Sequence, residues 1–311
     1  MKEKLWTQLY RPKKVADCIF PKGLLDKFSS FVAASFVPNL LLSGRAGVGK
    51  TTVAMAMLDE LGADYLLINA SLQSNIDVLR TDITQFASSV SFGGAGRKYV
   101  ILDEADYLNP HSTQPALRSF MEEYSANCGF ILTCNFPNRI IEPIRESRLA
   151  HIDFSIPRDE VPGMMAAQLK RACMILETEK VTYERPLVAK LVTKYFPDFR
   201  KVITELQANS HGGQLSENAL RKRSEIDPLV DLIKGRDFTG MRKWVGENVD
   251  LDSTAIMRDF YDRCVDLMEP HELAVLVLLY GRYQYQAAFV ADQELNLVAF
   301  FSEVMRDCTF R

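Results

Sequence analysis

Short apolar runs alternate with amphipathic stretches over about the first 154 residues of the chain. Five apolar runs predict buried strands, at 39–43, 64–70, 98–106, 128–135 and 151–157. Continuous runs of this length are typical of a parallel sheet, because both faces of such a sheet are covered by helices. Helical patterns lie between these runs, at 50–61, 77–88 and 112–124. The alternation predicts a doubly wound α/β domain, with a parallel sheet and helices on both of its faces.

The rest of the chain is helical by its pattern. From residue 158 onward the apolar positions recur at helical spacing, and HGGQ at 211–214 interrupts them and marks a loop. We therefore expect three domains, at 1–157, 158–224 and 225–311. The most apolar stretch of the last domain, LAVLVLLYGRY at 273–283, fits either core packing or a partner interface.

Composition and charge favour an ordinary water-soluble protein. Hydrophobic residues make up 47% of the chain and charged residues 25%, with a formal net charge of −3. No apolar run is long enough to span a membrane, and the N-terminal residues do not have the pattern of a signal peptide, so we expect a cytoplasmic protein with no membrane partner. Since the chain is not basic overall, any contact with nucleic acid must come from a local patch.

A phosphate-binding loop is indicated by GRAGVGKT at 44–51, between the strand at 39–43 and the helix at 50–61. This strand–loop–helix context is what the motif requires. Glycines let the backbone wrap closely, so that its amide groups and the helix N-terminus bind phosphate. Lys50 is expected to reach the β- and γ-phosphates, and Thr51 to offer its hydroxyl to Mg²⁺. The candidate nucleotide-binding residues of the loop are Gly44, Arg45, Ala46, Gly47, Val48, Gly49, Lys50, Thr51 and Thr52.

The strand YVILDEAD at 99–106 ends in carboxylates. Asp103 is placed at the carboxyl end, where ligands bind in open α/β sheets, and is expected to hold Mg²⁺ directly or through a water. Glu104 is expected to polarise the attacking water as a general base. The phosphate loop and the acidic strand together predict binding of ATP or GTP.

Further motifs resemble those of AAA+ ATPases, and within them those of sliding-clamp loaders. LYRPKKVADCI at 9–19 resembles the segment that clamp loaders place around adenine. The resemblance implies that ATP is the nucleotide and that Tyr10, Arg11 and Pro12 line the base pocket. It also implies that the domain at 158–224 is the lid and the domain at 225–311 the helical collar that holds the subunits together.

Two more positions match catalytic elements of this family. Asn135, which ends the strand FILTCN, matches the sensor-1 position. FPDFRKVITELQ at 196–207 resembles the sensor-2 helix of the lid, which implies that Arg200 approaches the γ-phosphate. FPDFRK and RSFMEEYSANC at 118–128 closely resemble the corresponding segments in the clamp loaders of T4-like bacteriophages, almost residue for residue.

An arginine finger is implied by IIEPIRESRLAHIDF at 140–154, which resembles the clamp-loader segment with a Ser–Arg–Cys motif. In that family the arginine enters the ATP site of the neighbouring subunit, where it neutralises charge on the transferred phosphoryl group. Ser147 and Arg148 fit the motif, while Leu149 stands where the cysteine is usual. Arg145 is a rival for the same role.

Contact with DNA is implied by two further segments. NIDVLRTDITQFA at 75–87 resembles a family helix whose arginine, Arg80 here, touches the phosphate backbone. HSTQPALRSFMEE at 111–123 resembles the next inner helix. There Gln114 matches a position that links DNA contact to the catalytic Glu104, and Arg118 lies one turn further on. The alternative for both arginines is a solvated helix face.

The resemblance implies an ATPase subunit that opens a sliding clamp and loads it on primer–template DNA during phage replication. The implied partners are the clamp, primer–template DNA, further copies of this chain, four in all, and a small companion subunit. A phage-encoded chain would work in the bacterial host cytoplasm. Two alternatives remain: another AAA+ machine on DNA, such as a helicase loader or branch-migration motor, and a structural subunit that does not hydrolyse ATP.

Overall fold

The computed structural model describes residues 5–72, 76–89, 96–210, 212–216, 226–248, 252–265 and 267–311. The chain divides into two compact units, Met1–Ser216 and Glu217–Arg311. The expected boundary between residues 224 and 225 lies outside the described residues.

A parallel sheet of five strands organises the first unit, in the order β2-β3-β4-β1-β5. The strands are Leu40–Ser43 (β1), Tyr65–Asn69 (β2), Lys98–Asp103 (β3), Cys128–Cys134 (β4) and Ala150–Asp153 (β5). The register pairs Ser43 with both Cys134 and Asp153, so the carboxyl ends of the three strands meet at one edge of the sheet. The α/β fold class expected from the sequence is confirmed.

Both faces of the sheet are buried because alternate strand residues enter two separate cores. Leu41 of β1 belongs to one core, which includes side chains from the helices at 76–88 and 113–123. Leu40 and Leu42 belong to the other core, which includes side chains from the helices at 22–33 and 50–61. This alternation is the period-two pattern of a strand, applied here to three consecutive leucines.

The helices of the sheet layer either precede β1 or connect successive strands. They are Trp6–Leu9 (α1), Lys22–Ala33 (α2), Lys50–Leu61 (α3), Ile76–Ser88 (α4), Thr113–Glu123 (α5) and Glu142–Arg145 (α6). Three turns of 3₁₀ helix accompany them, at Val15–Asp17, Ala105–Tyr107 and Pro137–Arg139. The third strand ends at Asp103 rather than at residue 106, because Glu104 turns the chain with a left-handed backbone (φ 57°, ψ 42°).

A helical layer completes the first unit. It consists of Val161–Thr178 (α7), Arg185–Tyr195 (α8) and Phe199–Ala208 (α9), which pack on one another. Hydrogen bonds tie the N-terminal segment to this layer, two of them from Trp6 and Tyr10. The Trp6 amide donates to Gln207 Oε1 at 2.9 Å, and the Tyr10 hydroxyl donates to Glu179 Oε1 at 2.5 Å.

The second unit is helical and has its own core. Its helices are Ile226–Lys234 (α10), Phe238–Glu247 (α11), Ser253–Cys264 (α12), Pro270–Ala287 (α13) and Gln293–Asp307 (α14). The rings of Phe260, Phe300 and Phe301 meet edge-on or tilted at its centre, with centroids 5.0 to 6.3 Å apart. Over the described part of the chain, no helix has both the length and the apolar character needed to cross a bilayer.

The apolar stretch at 273–283 packs into the core on one side of its helix and is exposed on the other side. Leu276 and Leu279 are buried in the core of the second unit, whereas Leu278 on the other side of α13 is 72% exposed. Tyr285 and Phe289 extend this exposed face at and just beyond the end of the helix, with their rings 5.1 Å apart.

Candidate nucleotide-binding site

The phosphate loop connects β1 to α3 at the carboxyl edge of the sheet. Gly47 (φ 73°) and Gly49 (φ 100°) have left-handed backbones that other residues rarely adopt, and Gly49 is the N-cap of α3. A Cβ atom on Gly47 would lie 1.7 Å from Asp198 Oδ1. A glycine is therefore required here both for the backbone turn and for the approach of the residue that caps α9.

Lys50 is buried at the base of the loop. Its ammonium group donates to the carbonyl oxygens of Gly44 and Arg45, each at 2.8 Å, and to Asn135 Oδ1 at 2.9 Å. Burial lowers the pKa of Lys50, although the nearby carboxylates of Asp103 and Asp106 oppose the shift. The side chain expected to reach phosphate therefore lies against the loop, in contact with the sensor-1 candidate.

Asp103 joins the acidic strand to the phosphate loop. Its Oδ1 atom accepts hydrogen bonds from Thr51 Oγ1 at 2.5 Å and from Thr133 Oγ1 at 2.6 Å. The Thr133 hydroxyl in turn accepts from the backbone amide of Glu104 at 3.1 Å, which fixes the turn that follows the strand. The hydroxyl of Thr51 and the carboxylate of Asp103, both expected to hold Mg²⁺, are thus adjacent.

Asp106 is a buried residue of the site that the sequence analysis did not single out. It is 5% exposed, and its Oδ2 atom accepts from the amides of Asn135 and Phe136 at 3.2 and 3.1 Å. These bonds hold the end of β4, so Asp106 positions Asn135. The signal was present in the sequence, since Asp106 is the last carboxylate of the acidic run.

A cleft extends from the phosphate loop to the helical layer and the N-terminal segment, and it encloses about 910 Å³, part of it open to solvent. Arg200 of α9 lies in its wall, together with all three residues of the expected base pocket. The expected nucleotide-binding residues that line the cleft are Tyr10, Arg11, Pro12, Gly47, Val48, Gly49, Thr52 and Arg200. Arg45 and Ala46 are instead exposed at the tip of the loop.

The two finger candidates lie outside this cleft and differ in their surroundings. Arg148 donates through Nε and Nη2 to the carboxylate of Glu122 on α5, and through Nη1 to the carbonyl oxygen of Pro143 at 2.7 Å. Arg145 pairs with the adjacent Glu146 at 2.7 Å. The arginine beside Glu122 lowers the pKa of that carboxyl, so the pair is charged near neutral pH.

The candidates for DNA contact divide into exposed and buried residues. Arg80 is exposed, with its guanidinium 5.9 Å from the centre of the Phe120 ring. Arg118 is half exposed and lies 3.7 Å from the same Glu122 carboxylate that binds Arg148. Gln114 is 1% exposed, which differs from the expectation of a residue at the DNA surface.

The side chain of Gln114 instead ties two loops together. Its Nε2 group donates to the carbonyl oxygens of Leu108 and Arg139 at 3.0 and 2.9 Å, and its Oε1 atom accepts from the amide of Ile141 at 2.8 Å. Leu108 follows the turn after Glu104, and Arg139 follows Asn135. Gln114 therefore positions the segments that carry both catalytic candidates, and its bonds are to backbone groups rather than to Glu104 itself.

A phosphate loop after an inner strand, an acidic pair on a parallel strand and a helical layer over the cleft define a P-loop ATPase of the AAA class. The model of the ATPase family associated with various cellular activities matches residues 40–157. The model of the sliding-clamp-loader large subunit, AAA+ ATPase lid domain, matches residues 160–221.

Whole-chain relatives place the protein more narrowly. The chain is 33% identical to the sliding-clamp-loader large subunit of Enterobacteria phage T4, over 97% of this chain and 96% of that protein. It is 34% identical to the protein of the same name from Escherichia phage RB69, over 86% and 85%. It is 31% identical to the replication factor C small subunit of Sulfurisphaera tokodaii, over 97% and 95%. The chain belongs to the clamp-loader family of AAA+ ATPases.

A solved structure of a single-residue variant of Thermotoga maritima RuvB shares the fold. Its TM-score is 0.53 at 18% identity, over 72% of this chain and 79% of that one. At this identity the likeness shows the fold alone.

Proposed function

We propose that this chain is the ATPase subunit of a sliding-clamp loader, which uses ATP and Mg²⁺ to open the clamp and load it on primer–template DNA. The proposal rests on one observation: the finger candidate Arg148 is separated from the nucleotide-binding residues of its own chain. Lys50, Thr51 and Asp103 lie together at the edge of the sheet, whereas Arg148 is bound to Glu122 and lies outside the cleft. An arginine so placed fits the site of another copy of the chain.

The residues of the site fit a magnesium–nucleotide complex. Thr51 and Asp103 offer adjacent hard oxygen ligands, and the loop amides at the start of α3 suit phosphate. Bound Mg²⁺ would neutralise charge on the phosphate oxygens. Lys50 would exchange its bonds to Gly44, Arg45 and Asn135 for phosphate, which leaves the Asn135 amide free to orient the attacking water.

Position in the site supports the remaining catalytic roles of the proposal. Glu104, held by its amide at the end of the acidic strand, acts as the general base. Arg200 lines the same cleft as Gly47 and Gly49, and it would contact the γ-phosphate from within the same chain. Arg148 acts in trans on the neighbouring site.

Contact with primer–template DNA is assigned to exposed arginines of the sheet layer. Arg80 and Arg118 reach solvent from α4 and α5, and the ring of Phe120 on α5 lies beside Arg80. Such contacts bind phosphates without reading sequence. Gln114 acts behind them as the link between α5 and the loops after Glu104 and Asn135.

The division into an AAA+ domain at 1–157, a lid at 158–224 and a collar at 225–311 is part of the proposal. The exposed Leu278, Tyr285 and Phe289 on one face of the second unit support a role in holding subunits together. We propose an assembly of four copies with a small companion subunit, active in the cytoplasm of a bacterial host.

A subunit-mixing experiment tests the trans arrangement. Glu104→Gln removes the general base but keeps the finger, and Arg148→Ala removes the finger but keeps the base. Each variant alone should lose about 10³-fold or more in turnover with clamp, companion subunit and primer–template DNA present. Mixed in equal amounts before assembly, they should regain activity, because about one interface in four then joins an intact site to an intact finger.

The same mixture with Arg145→Ala in place of Arg148→Ala is the matched control. Arg145→Ala alone should keep most of its turnover. Turnover of Arg148→Ala alone close to that of the wild type would rule out Arg148 as the finger, and loss of turnover in Arg145→Ala alone with recovery in its mixture would assign the role to Arg145. Wild-type turnover that is indifferent to clamp and DNA would contradict the clamp-loader function.

A further inference from the structure

Gln168 is a buried polar residue in the wall of the cleft that the phosphate chemistry does not use. It lies on α7, it is 3% exposed, and it lines the same cleft as the phosphate loop and the base-pocket segment. Its Oε1 atom is buried and has no hydrogen-bond partner within the described part of the chain. Buried side-chain acceptors are almost always paired in folded proteins, and rotation of the side-chain amide at the cleft wall would bring this atom to a donor on a bound ligand.

The surroundings of Gln168 suit a flat apolar ring with polar edges. Met164, one turn earlier on α7, and Ile203 of α9 line the cleft with it, and Ile19 and Phe20 form part of the facing wall. Ligand sites typically combine such apolar walls with a few placed polar groups, which fix the orientation of the ligand.

This end of the cleft is held in place by bonds between the N-terminal segment and α7. Arg171 Nη2 donates to the carbonyl oxygen of Asp17 at 2.6 Å, one turn beyond Gln168. The Tyr10 hydroxyl donates to Glu179 just after the helix ends. Because both walls are tied together, the distance across the base end of the cleft is set before a ligand arrives.

We propose that Gln168 recognises the base of the bound nucleotide and selects adenine over guanine. Its Oε1 atom accepts a hydrogen bond from the exocyclic amino group of adenine, while the side-chain amide can donate to an adjacent ring nitrogen. A glutamine amide matches the donor–acceptor pair of adenine in this way. On the edge that carries N7, guanine presents two acceptors, its carbonyl oxygen and N7, so neither orientation of the amide can satisfy both of its polar groups. The inference rests on the proposed function, since it assumes that ATP occupies this cleft.

The test compares two nucleotides that differ only in the amino group. Affinities of the full-length wild-type chain for ATP and for purine riboside triphosphate, which lacks the 6-amino group, are measured by calorimetry, with GTP as a third ligand. The wild type should bind ATP about tenfold more tightly than the amino-free analogue, the effect of one buried hydrogen bond. In Gln168→Met, which keeps the length of the side chain, the ratio of the affinity for ATP to the affinity for the amino-free analogue should fall to about one.

Lys170→Met is the matched control, because it introduces the same side chain on the exposed face of the same helix. It should keep the wild-type ratio. A ratio in Gln168→Met equal to that of the wild type overturns the inference, even if both affinities fall, since an equal fall reports only a damaged cleft. A wild-type preference for GTP also overturns it. Failure of the wild-type chain to bind any of the three nucleotides would instead contradict the proposed function.

Discussion

Removal of the Gln114 side chain is expected to destabilise the first unit and to slow hydrolysis. Gln114→Ala deletes three hydrogen bonds to the backbone of Leu108, Arg139 and Ile141 at a position that is 1% exposed. At about 1 kcal/mol for each bond, the free energy of unfolding should fall by about 3 kcal/mol. For a unit of this size that corresponds to a fall in Tm of about 6–12 °C.

The effect on catalysis follows from what the bonds hold. Leu108 lies after the turn that begins at Glu104, and Arg139 lies after Asn135, so both catalytic candidates lose a support. Misplacement of such groups by about 1 Å can reduce turnover about 10²-fold. We expect kcat with DNA and clamp to fall by about 10- to 100-fold, while KM for ATP changes little, because the phosphate loop itself is untouched.

Calorimetry and steady-state turnover measure the two effects. Gln85→Ala is the matched control, since Gln85 is an exposed glutamine on α4 of the same unit. It should change neither Tm nor kcat. A Tm for Gln114→Ala within about 2 °C of the wild type would refute the role assigned to the three bonds. A normal kcat together with a lowered Tm would refute the link to Glu104 and Asn135.

Three further predictions follow from individual side chains. Burial lowers the pKa of Lys50, so the unfolded chain binds this proton more tightly than the folded chain does. Without added nucleotide, the stability of the wild type relative to Lys50→Met should therefore rise as the pH rises toward 10.5. A difference in Tm between the two proteins that does not change with pH would contradict this. Iodoacetamide at about pH 8 should label the half-buried Cys173 first, as read by peptide mass spectrometry, because burial keeps the other thiols protonated. The pKa is raised to about 12 at Cys18, Cys134 and Cys264, and to about 11 at Cys128 and Cys308. Glu122→Ala should release Arg148 and raise ATP turnover without DNA, and the rise should vanish when Arg148→Ala is added.

The parts of the fold that depend on local pattern were predictable. The helix expected at 50–61 is observed as Lys50–Leu61, since a glycine-rich loop fixes its start and a left-handed Gly62 follows its end. The third strand was expected to run to residue 106, but it ends at Asp103. The cause is not local, because the turn at Glu104 is held by Thr133 from a different strand.

The site residues likewise divide into those that a contiguous motif predicts and those that depend on contacts between distant parts of the chain. Lys50, Thr51 and Asp103 come from two contiguous motifs, and the structure brings them together. The contact of Asp198 with Gly47, the pairing of Arg148 with Glu122 and the place of Gln168 in the cleft wall each join residues far apart in the chain. No periodicity or spacing encodes such pairs, so they were not predicted. Gln114 was found by resemblance, but its burial required the coordinates.

The walls of the cleft have a practical consequence for any attempt to dissect the protein. They come from residues as far apart as Thr7 and Ile203, and Asp198 of the helical layer touches the phosphate loop at Gly47. A fragment cut at residue 157 would keep Lys50 and Asp103 but lose Gln168, Arg200 and the partner of Tyr10. A fragment that can report faithfully on nucleotide affinity must therefore keep residues 7–203, all of which lie within the unit Met1–Ser216.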